Sequence, residues 1–298
     1  MIRHEPVLLR ESIEALRIEP DGRYVDVTYG GGGHSREILK RLTNGVLVAF
    51  DADPDAVRDV TEAENMILIH QNFRHLKRYL QLHELLPVHG ILADLGVSSH
   101  QLDTPERGFT YRYDSKLDMR MDKTSKLTAS TVLNEYSQME LQRIFSKYGE
   151  IENSKTLAKT IVNARAMQKI ETTGQLRQLI EPAAKGNINQ YLSKVFQALR
   201  IEVNEELDAL KEFLRQSAEV LKTGGRLVVI SYHSLEDRLV KNFMKTGNVE
   251  GEMLKDVYGN YSVPFKALNK KPITPSAEEI RKNMRARSAK MRVAERVL

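Results

Sequence analysis

The chain has 298 residues, 45 Lys and Arg against 40 Asp and Glu, and no cysteine. That length fits one large domain or two smaller ones. The missing cysteines exclude disulfide frameworks, thiolate metal sites and thiolate nucleophiles. No apolar run approaches the roughly 18 residues of a membrane helix, and the start, MIRHEPVLLRES, lacks the apolar core of a signal peptide. A cytoplasmic protein without membrane contact is expected.

Residues 6–16 read as a helix with Val7, Leu8, Ile13 and Leu16 apolar, and 23–28 as a short strand. Four glycines follow, and 34–42 reads as helix. The runs VLVAF (46–50), MILIH (66–70) and GILADLG (90–96) read as buried strands. Pro54 opens a helix between the first two, and a helix lies around 76–86 before the third. This alternation predicts βαβ units and a parallel sheet. From 105 to 204 no strand pattern remains. Ser137 and Glu140 form a capping-box pair, Gly149 stops that helix, and amphipathic segments follow at 154–168, 173–183 and 188–200. A helix closed by Gly224-Gly225 and a strand at 226–231 then restore the sheet pattern. Residues 250–274 carry no clear pattern. The chain therefore divides into an α/β domain in two parts, 1–104 and 205–298, around an all-helical insertion at 105–204.

DVTYGGGGHS (26–35) follows the first strand. In a doubly wound sheet ligands bind beyond the carboxyl ends of strands, and the first strand-to-helix turn is where backbone approaches them. Asp26, Asp51 and Asp94 stand at three such strand ends. An acidic side chain about twenty residues after the glycines accepts ribose hydroxyls; the alternative for Asp51 and Asp94 is helix capping or turn formation. Three carboxylates would repel a pyrophosphate, and GGGGHS has no P-loop lysine. S-adenosylmethionine carries an ammonium, a sulfonium and a ribose but no phosphate, and an acidic rim suits it.

His34 either joins this site or simply begins the helix. In SYHSLED, Ser234 with Asp237 fits a helix N-cap, while His233 at a strand end is a site candidate. LDMRMD (117–122) is either a solvated loop or an ordered lid. His70, His75, His83 and His89 lack metal-site spacing, and no metal is expected. The basic excess is concentrated at the end: from 266 to 298 there are ten Lys and Arg against three Glu, +7 of a net +5. Such a tail fits a polyanionic partner or a solvated helix face. Ser276 and Glu279 form a capping-box pair, so a helix is expected from Ala277, with Arg281, Arg285 and Arg292 on one side.

The segments HEPVLLRES, DVTYGGGGHS, DADP, ADLGVSSHQLD, RGFTY, LDMRMD, KVFQALRIEVNEEL, VISYHSLEDR and KKPITPSAEEIRKNMRARSAKMR resemble, in order and along nearly the whole chain, the bacterial MraW/RsmH family. The resemblance implies a class I S-adenosylmethionine-dependent methyltransferase, a Rossmann-like doubly wound sheet with an inserted helical domain for substrate recognition. It implies transfer to the exocyclic N4 of a cytidine in the decoding region of 16S ribosomal RNA within the small subunit, by a monomer or homodimer. The cofactor positions it implies are Gly32, Gly33, His34, Asp51, Phe73, Asp94 and Gln101, to which the strand-end pattern adds Asp26. His100 and Lys116 stand where the family usually has proline.

Without cysteine, the covalent route to a pyrimidine C5 is closed. Methylation of an exocyclic amine needs no covalent intermediate, only a carboxylate and a carbonyl to orient the amine. Asp94 and the Gly96–Ser99 backbone are the leading candidates, with Ser98, Ser99 and His233 as further catalytic candidates. The N/S/D-P-P-Y motif of many amino methyltransferases is replaced by DLGVSS. Alternative functions are a methyltransferase acting on another RNA or a protein, and a non-catalytic RNA-binding relic.

Overall fold

The computed structural model describes residues 6–58, 63–253 and 262–298. His4 and Glu5 of HEPVLLRES and residues 254–261 of the unassigned stretch lie outside these. The chain forms two compact units, 1–96 with 207–298, and 97–206.

The first unit begins with α1 (Leu9–Leu16), β1 (Arg23–Asp26), α2 (Gly33–Leu39), β2 (Val46–Asp51), α3 (Pro54–Val57), β3 (Met66–His70), α4 (Leu76–Leu82) and β4 (Val88–Asp94). The helical unit holds α5 (Ser99–Asp103), α6 (Ala129–Glu135), α7 (Gln138–Lys147), α8 (Ser154–Arg165), α9 (Thr173–Ile180) and α10 (Ile188–Asn204). The chain then continues through α11 (Glu206–Val220), β5 (Leu221–Ser231), α12 (Ser234–Thr246), β6 (Phe265–Ala267), α13 (Ala277–Lys282) and β7 (Lys290–Arg296).

The seven strands form one sheet in the order β3-β2-β1-β4-β5-β7-β6. The first five are parallel, and β7 runs antiparallel to both its neighbours. This is the doubly wound sheet expected from the sequence. Alternate strand residues enter opposite faces. Val25, Val48, Phe50, Ile91, Leu227 and Val229 pack with Leu80, Phe213 and Phe243 of α4, α11 and α12. Tyr24, Leu47, Leu92, Val228 and Ile230 pack on the other face with Ile13, Leu16 and Ile38 of α1 and α2. Both faces are covered, which is why the strands read as continuous apolar runs. The order reverses between β1 and β4, and at such a switch point the carboxyl ends of the two strands open a crevice.

In the helical unit, Val132, Leu141, Phe145, Leu157, Ile161, Leu176, Leu192 and Leu199 are all fully buried. Ser137 caps α7 in a reciprocal box with Glu140 as expected. The only ladder contact recorded within 97–206 is an isolated bridge between Lys116 and Thr172. The second unit begins at Val97, so α5 lies within it.

Two expectations need correction. The helix before β5 does not run to the glycine pair: α11 stops at Val220 and the strand begins at Leu221. Gly224, at φ 81°, and Gly225, whose Cβ would lie 3.0 Å from the His89 carbonyl oxygen, form an irregularity inside the strand, where its register against β4 shifts. The basic tail is not one helix either. It is α13, a 3-10 turn at Met284–Ser288 and then β7. The run KMRVAER takes the strand state because it pairs along β5 and buries Met291, Val293 and Ala294. Arg281, Arg285 and Arg292 therefore share no helix face.

Candidate cofactor site

Asp26 ends β1 and is buried. Its Oδ1 accepts the Thr28 N–H at 3.1 Å and its Oδ2 accepts the Ser35 hydroxyl at 2.6 Å, from the start of α2. Burial raises its pKa, and those bonds oppose the rise. The carboxylate thus braces both ends of the glycine turn. Thr28 also accepts the Asp94 N–H on its hydroxyl at 2.7 Å, and Tyr29 donates its N–H to the Phe50 carbonyl at 2.8 Å. The loop is fastened to the ends of β4 and β2 on either side.

Within the loop, the glycines differ. Gly32 sits at φ 67°, a left-handed conformation that disfavours side chains. A Cβ on Gly33 would fall 2.0 Å from Pro6 Cγ, so the N-terminal segment packs directly on the loop. Gly31 has nothing within 4 Å of where a Cβ would stand. Here the backbone is bare without any packing reason, and a ligand can approach it.

Asp51 ends β2. Its Oδ2 accepts the Gly30 N–H at 2.7 Å and its Oδ1 the Asp53 N–H at 2.8 Å. Burial pushes its pKa up to about 6; the two backbone N–H groups pull it down, and the Asp53 and Asp26 carboxylates push it up. Asp53, not Asp51, caps the helix that Pro54 opens. Phe73 follows β3 in a 3-10 turn, with its ring edge-on to Phe213 at 5.5 Å.

Asp94 ends β4. Its Oδ1 accepts the Tyr232 hydroxyl at 2.8 Å, and its Oδ2 lies 3.9 Å from His34 Nδ1. Burial pushes its pKa up to about 6, while His34 and Tyr232 draw it down. Tyr232 is driven well above the usual phenol value, by burial first and then by the charge of Asp94. His34 is buried in the first turn of α2, with Nε2 3.2 Å from the Val7 carbonyl oxygen; burial lowers its pKa. The Val7 carbonyl only accepts, so Nε2 carries a proton there, and Nδ1 is the ring nitrogen nearer Asp94.

The first unit therefore gathers Asp26, Gly32, Gly33, His34, Asp51, Phe73 and Asp94 at the carboxyl end of its sheet. Two residues join them that sequence reasoning passed over, Thr28 and Tyr232. Tyr232 was legible as the residue directly after the β5 run, a strand end equivalent to that of Asp94. His233 is the N-cap of α12: its Nδ1 accepts the Glu236 N–H at 3.5 Å, and Glu236 Oε2 accepts the Tyr232 N–H at 2.8 Å. The cap is thus His233 with Glu236, not Ser234 with Asp237, which is used elsewhere. In the helical unit Ser98 caps α5 reciprocally with the buried Gln101. The Ser98 hydroxyl accepts the Gln101 N–H at 3.2 Å, and Gln101 Oε1 accepts the Ser98 N–H at 2.9 Å. Ser99 opens that helix.

Three carboxylates in one largely buried mouth disfavour an anion, Asp26 raises the pKa of both Asp51 and Asp94, and a bound cation relieves both effects. Asp51 is a carboxylate of the kind that accepts ribose hydroxyls, and Gly31 leaves the backbone open. This donor set fits S-adenosylmethionine.

The model of the MraW methylase family matches residues 1–297. The chain is 55% identical over 99% of its length to the ribosomal RNA small subunit methyltransferase H of Flavobacterium johnsoniae, 98% of which is covered. The proteins of the same name from Bacteroides fragilis and Cytophaga hutchinsonii are also 55% identical, over 98% of this chain, with 97% and 99% of their own lengths covered.

Proposed function

The chain belongs to the MraW methylase family, and from that premise we propose that it N4-methylates a cytidine in the decoding region of small-subunit ribosomal RNA. It is a methyltransferase of class I fold, and S-adenosylmethionine is its cofactor. When bound, S-adenosylmethionine supplies an electrophilic methyl group. Asp51 has about four lone-pair sites; Gly30 and Asp53 use two, and the rest accept the ribose hydroxyls. At Gly31 the loop backbone is bare, and there it can approach the cofactor.

Asp94 carries the reading. It stands at the switch point, its Oδ1 is fixed by Tyr232, and its pKa of about 6 leaves it ionised at neutral pH yet able to take a proton. Its Oδ2 accepts one N–H of the target amine, turning the nitrogen lone pair out of conjugation with the ring, and receives the proton the nitrogen sheds. Orientation of this kind, with reacting atoms about 3–3.5 Å apart, supplies much of the rate. The target base must leave its stack to reach such a site. The helical unit is assigned to holding RNA. The roles of Ser98, Ser99 and Gln101 rest on the family resemblance alone. His233 uses its Nδ1 in capping α12, and Asp94 is the group assigned to take the proton.

The experiment is direct. The protein is incubated with S-adenosylmethionine labelled in its methyl group and with small ribosomal subunits lacking the modification, and the RNA is digested to nucleosides. Label in N4-methylcytidine is expected. Label in another nucleoside, or only in protein, overturns the substrate assignment.

A further inference from the structure

We propose that the segment from Ser276 to Ser288 is a phosphate-gripping ledge for the RNA substrate, clamped by Glu279 to the support of the cofactor loop, with Arg281 and Arg287 as its gripping residues. This rests on the proposed RNA substrate and names the surface of the first unit that would engage it.

The clamp is a continuous path of contacts. Ser276 caps α13 by accepting the Glu279 N–H at 3.1 Å. In a reciprocal box the Glu279 carboxylate would turn back to its own cap. Instead its Oε1 accepts the N–H of Leu8 at 2.7 Å, across nearly the whole sequence. Leu8 holds a left-handed conformation at φ 51° just before α1, a strained state for such a residue that persists only where its surroundings enforce it. The neighbouring Val7 carbonyl meets His34 Nε2, and Pro6 lies against Gly33. The tail is thus bound to the segment that supports both the glycine loop and His34, itself 3.9 Å from Asp94. Glu279 is also close enough to the half-buried Tyr232 to contribute to the rise of its pKa.

The outer side of this segment is cationic. Arg281 and Arg287 are exposed and have no hydrogen bond or ion pair among the described residues. Met284 is 69% exposed between them. The turn is seated by Ala286 and Ala289, which are fully buried, and by the Asn283 side chain capping the Arg285 N–H at 3.1 Å. A rigid backbone therefore presents the two guanidinium groups. Not all tail cations serve this purpose: Lys282 pairs with Glu278 and Arg292 with Asp237. The result is a division of charge. The interior end of the sheet is acidic and suits a cationic cofactor, while its neighbouring rim is basic and suits a polyanion.

The test compares wild type with the double variant Arg281→Gln, Arg287→Gln, using small ribosomal subunits lacking the modification as the probe. Binding is measured across a salt series, and S-adenosylmethionine affinity by calorimetry. Loss of two phosphate contacts lowers the slope of log K against log salt by roughly 1.4–1.8, with cofactor affinity unchanged. A slope equal to wild type overturns the proposal. A wild type that neither binds nor methylates the subunits overturns the substrate assignment instead. Glu279→Ala separates the clamp from the grip: the slope stays near that of wild type, while affinity for S-adenosylmethionine falls as the Leu8 support loosens. Unchanged cofactor affinity in Glu279→Ala would remove the clamp from the proposal.

Discussion

The Tyr232 hydroxyl donates to Asp94 Oδ1 at 2.8 Å, joining the residue after β5 to the end of β4 in the candidate site. The bond fixes one carboxylate oxygen and leaves the other, Oδ2, 3.9 Å from His34 Nδ1. It also stabilises the ionised form of a carboxylate that burial otherwise drives toward neutrality.

Tyr232→Phe keeps the ring and removes that donor. The ionised carboxylate loses a charge-assisted bond, so the Asp94 pKa rises, by about one unit. In the proposed mechanism methylation needs Asp94 ionised, so the acid limb of the single-turnover rate profile moves to higher pH. Cofactor affinity at pH 8 stays close to that of wild type. An acid limb at the wild-type position would reduce Tyr232 to a packing residue.

Asp94 also costs stability. Its folded pKa is raised above the unfolded value, so the folded state binds the extra proton between about pH 4 and pH 6 and loses that advantage as pH rises through 6. Asp94→Asn removes the buried charge while keeping an acceptor for Tyr232. The unliganded variant is expected to be more stable than wild type by about 1–3 kcal/mol at pH 8, with the gain shrinking as pH falls below 6. Urea unfolding at several pH values measures this, and the same variant should lose methylation. A gain independent of pH would mean that burial of the charge is not the cause.

Asp51→Ala should weaken S-adenosylmethionine binding by about 1–3 kcal/mol through lost ribose hydrogen bonds. The side chain also holds Gly30 and Asp53, so Asp51→Asn, which retains one acceptor oxygen, should lose less. Calorimetric affinity unchanged in both variants would make Asp51 a turn residue only.

The glycine loop gives a sharper contrast. Gly33→Ala would place its Cβ 2.0 Å from Pro6 Cγ and force the N-terminal segment away; overpacking of this kind costs about 1–3 kcal/mol of stability. Gly31→Ala meets nothing within 4 Å. It should leave unfolding unchanged and lower only cofactor affinity, because the ligand needs the bare backbone. If Gly31→Ala bound S-adenosylmethionine like wild type, the ligand would not approach this face of the loop.

What was legible in the sequence follows from range. VLVAF and MILIH read as buried strands because each run is covered on both faces, and Asp51 and Asp94 could be placed at strand ends by counting. Ser137 and Glu140 cap α7 as their local spacing predicts. The failures are long-range. Nothing local to Glu279 says that its carboxylate will serve Leu8 rather than its own cap. Nothing local to Ser234 shows that His233 and Glu236 will form the cap, since Asp237 is claimed by Arg292 from β7. The strand KMRVAER was hidden because charged residues break its apolar pattern, and only its place between β5 and β6 supplies the partners.

Arg292 gives the last prediction, because it separates a structural cation from a substrate-binding one in the same tail. It is 8% exposed and bidentate to Asp237, with Nε to Oδ1 at 2.6 Å and Nη2 to Oδ2 at 3.1 Å. Lys290 stands 3.9 Å from the same carboxylate and replaces only part of that pairing. Arg292→Gln leaves Asp237 largely buried without its main partner, and breaking a buried pair in this way costs about 3–5 kcal/mol. The partial access of water to Asp237 places the expected loss toward the lower end. Urea unfolding should show it, whereas the salt slope of subunit binding, measured well below the unfolding transition, should equal that of wild type. A normal stability with a shallower slope would reverse the assignment and put Arg292 on the RNA.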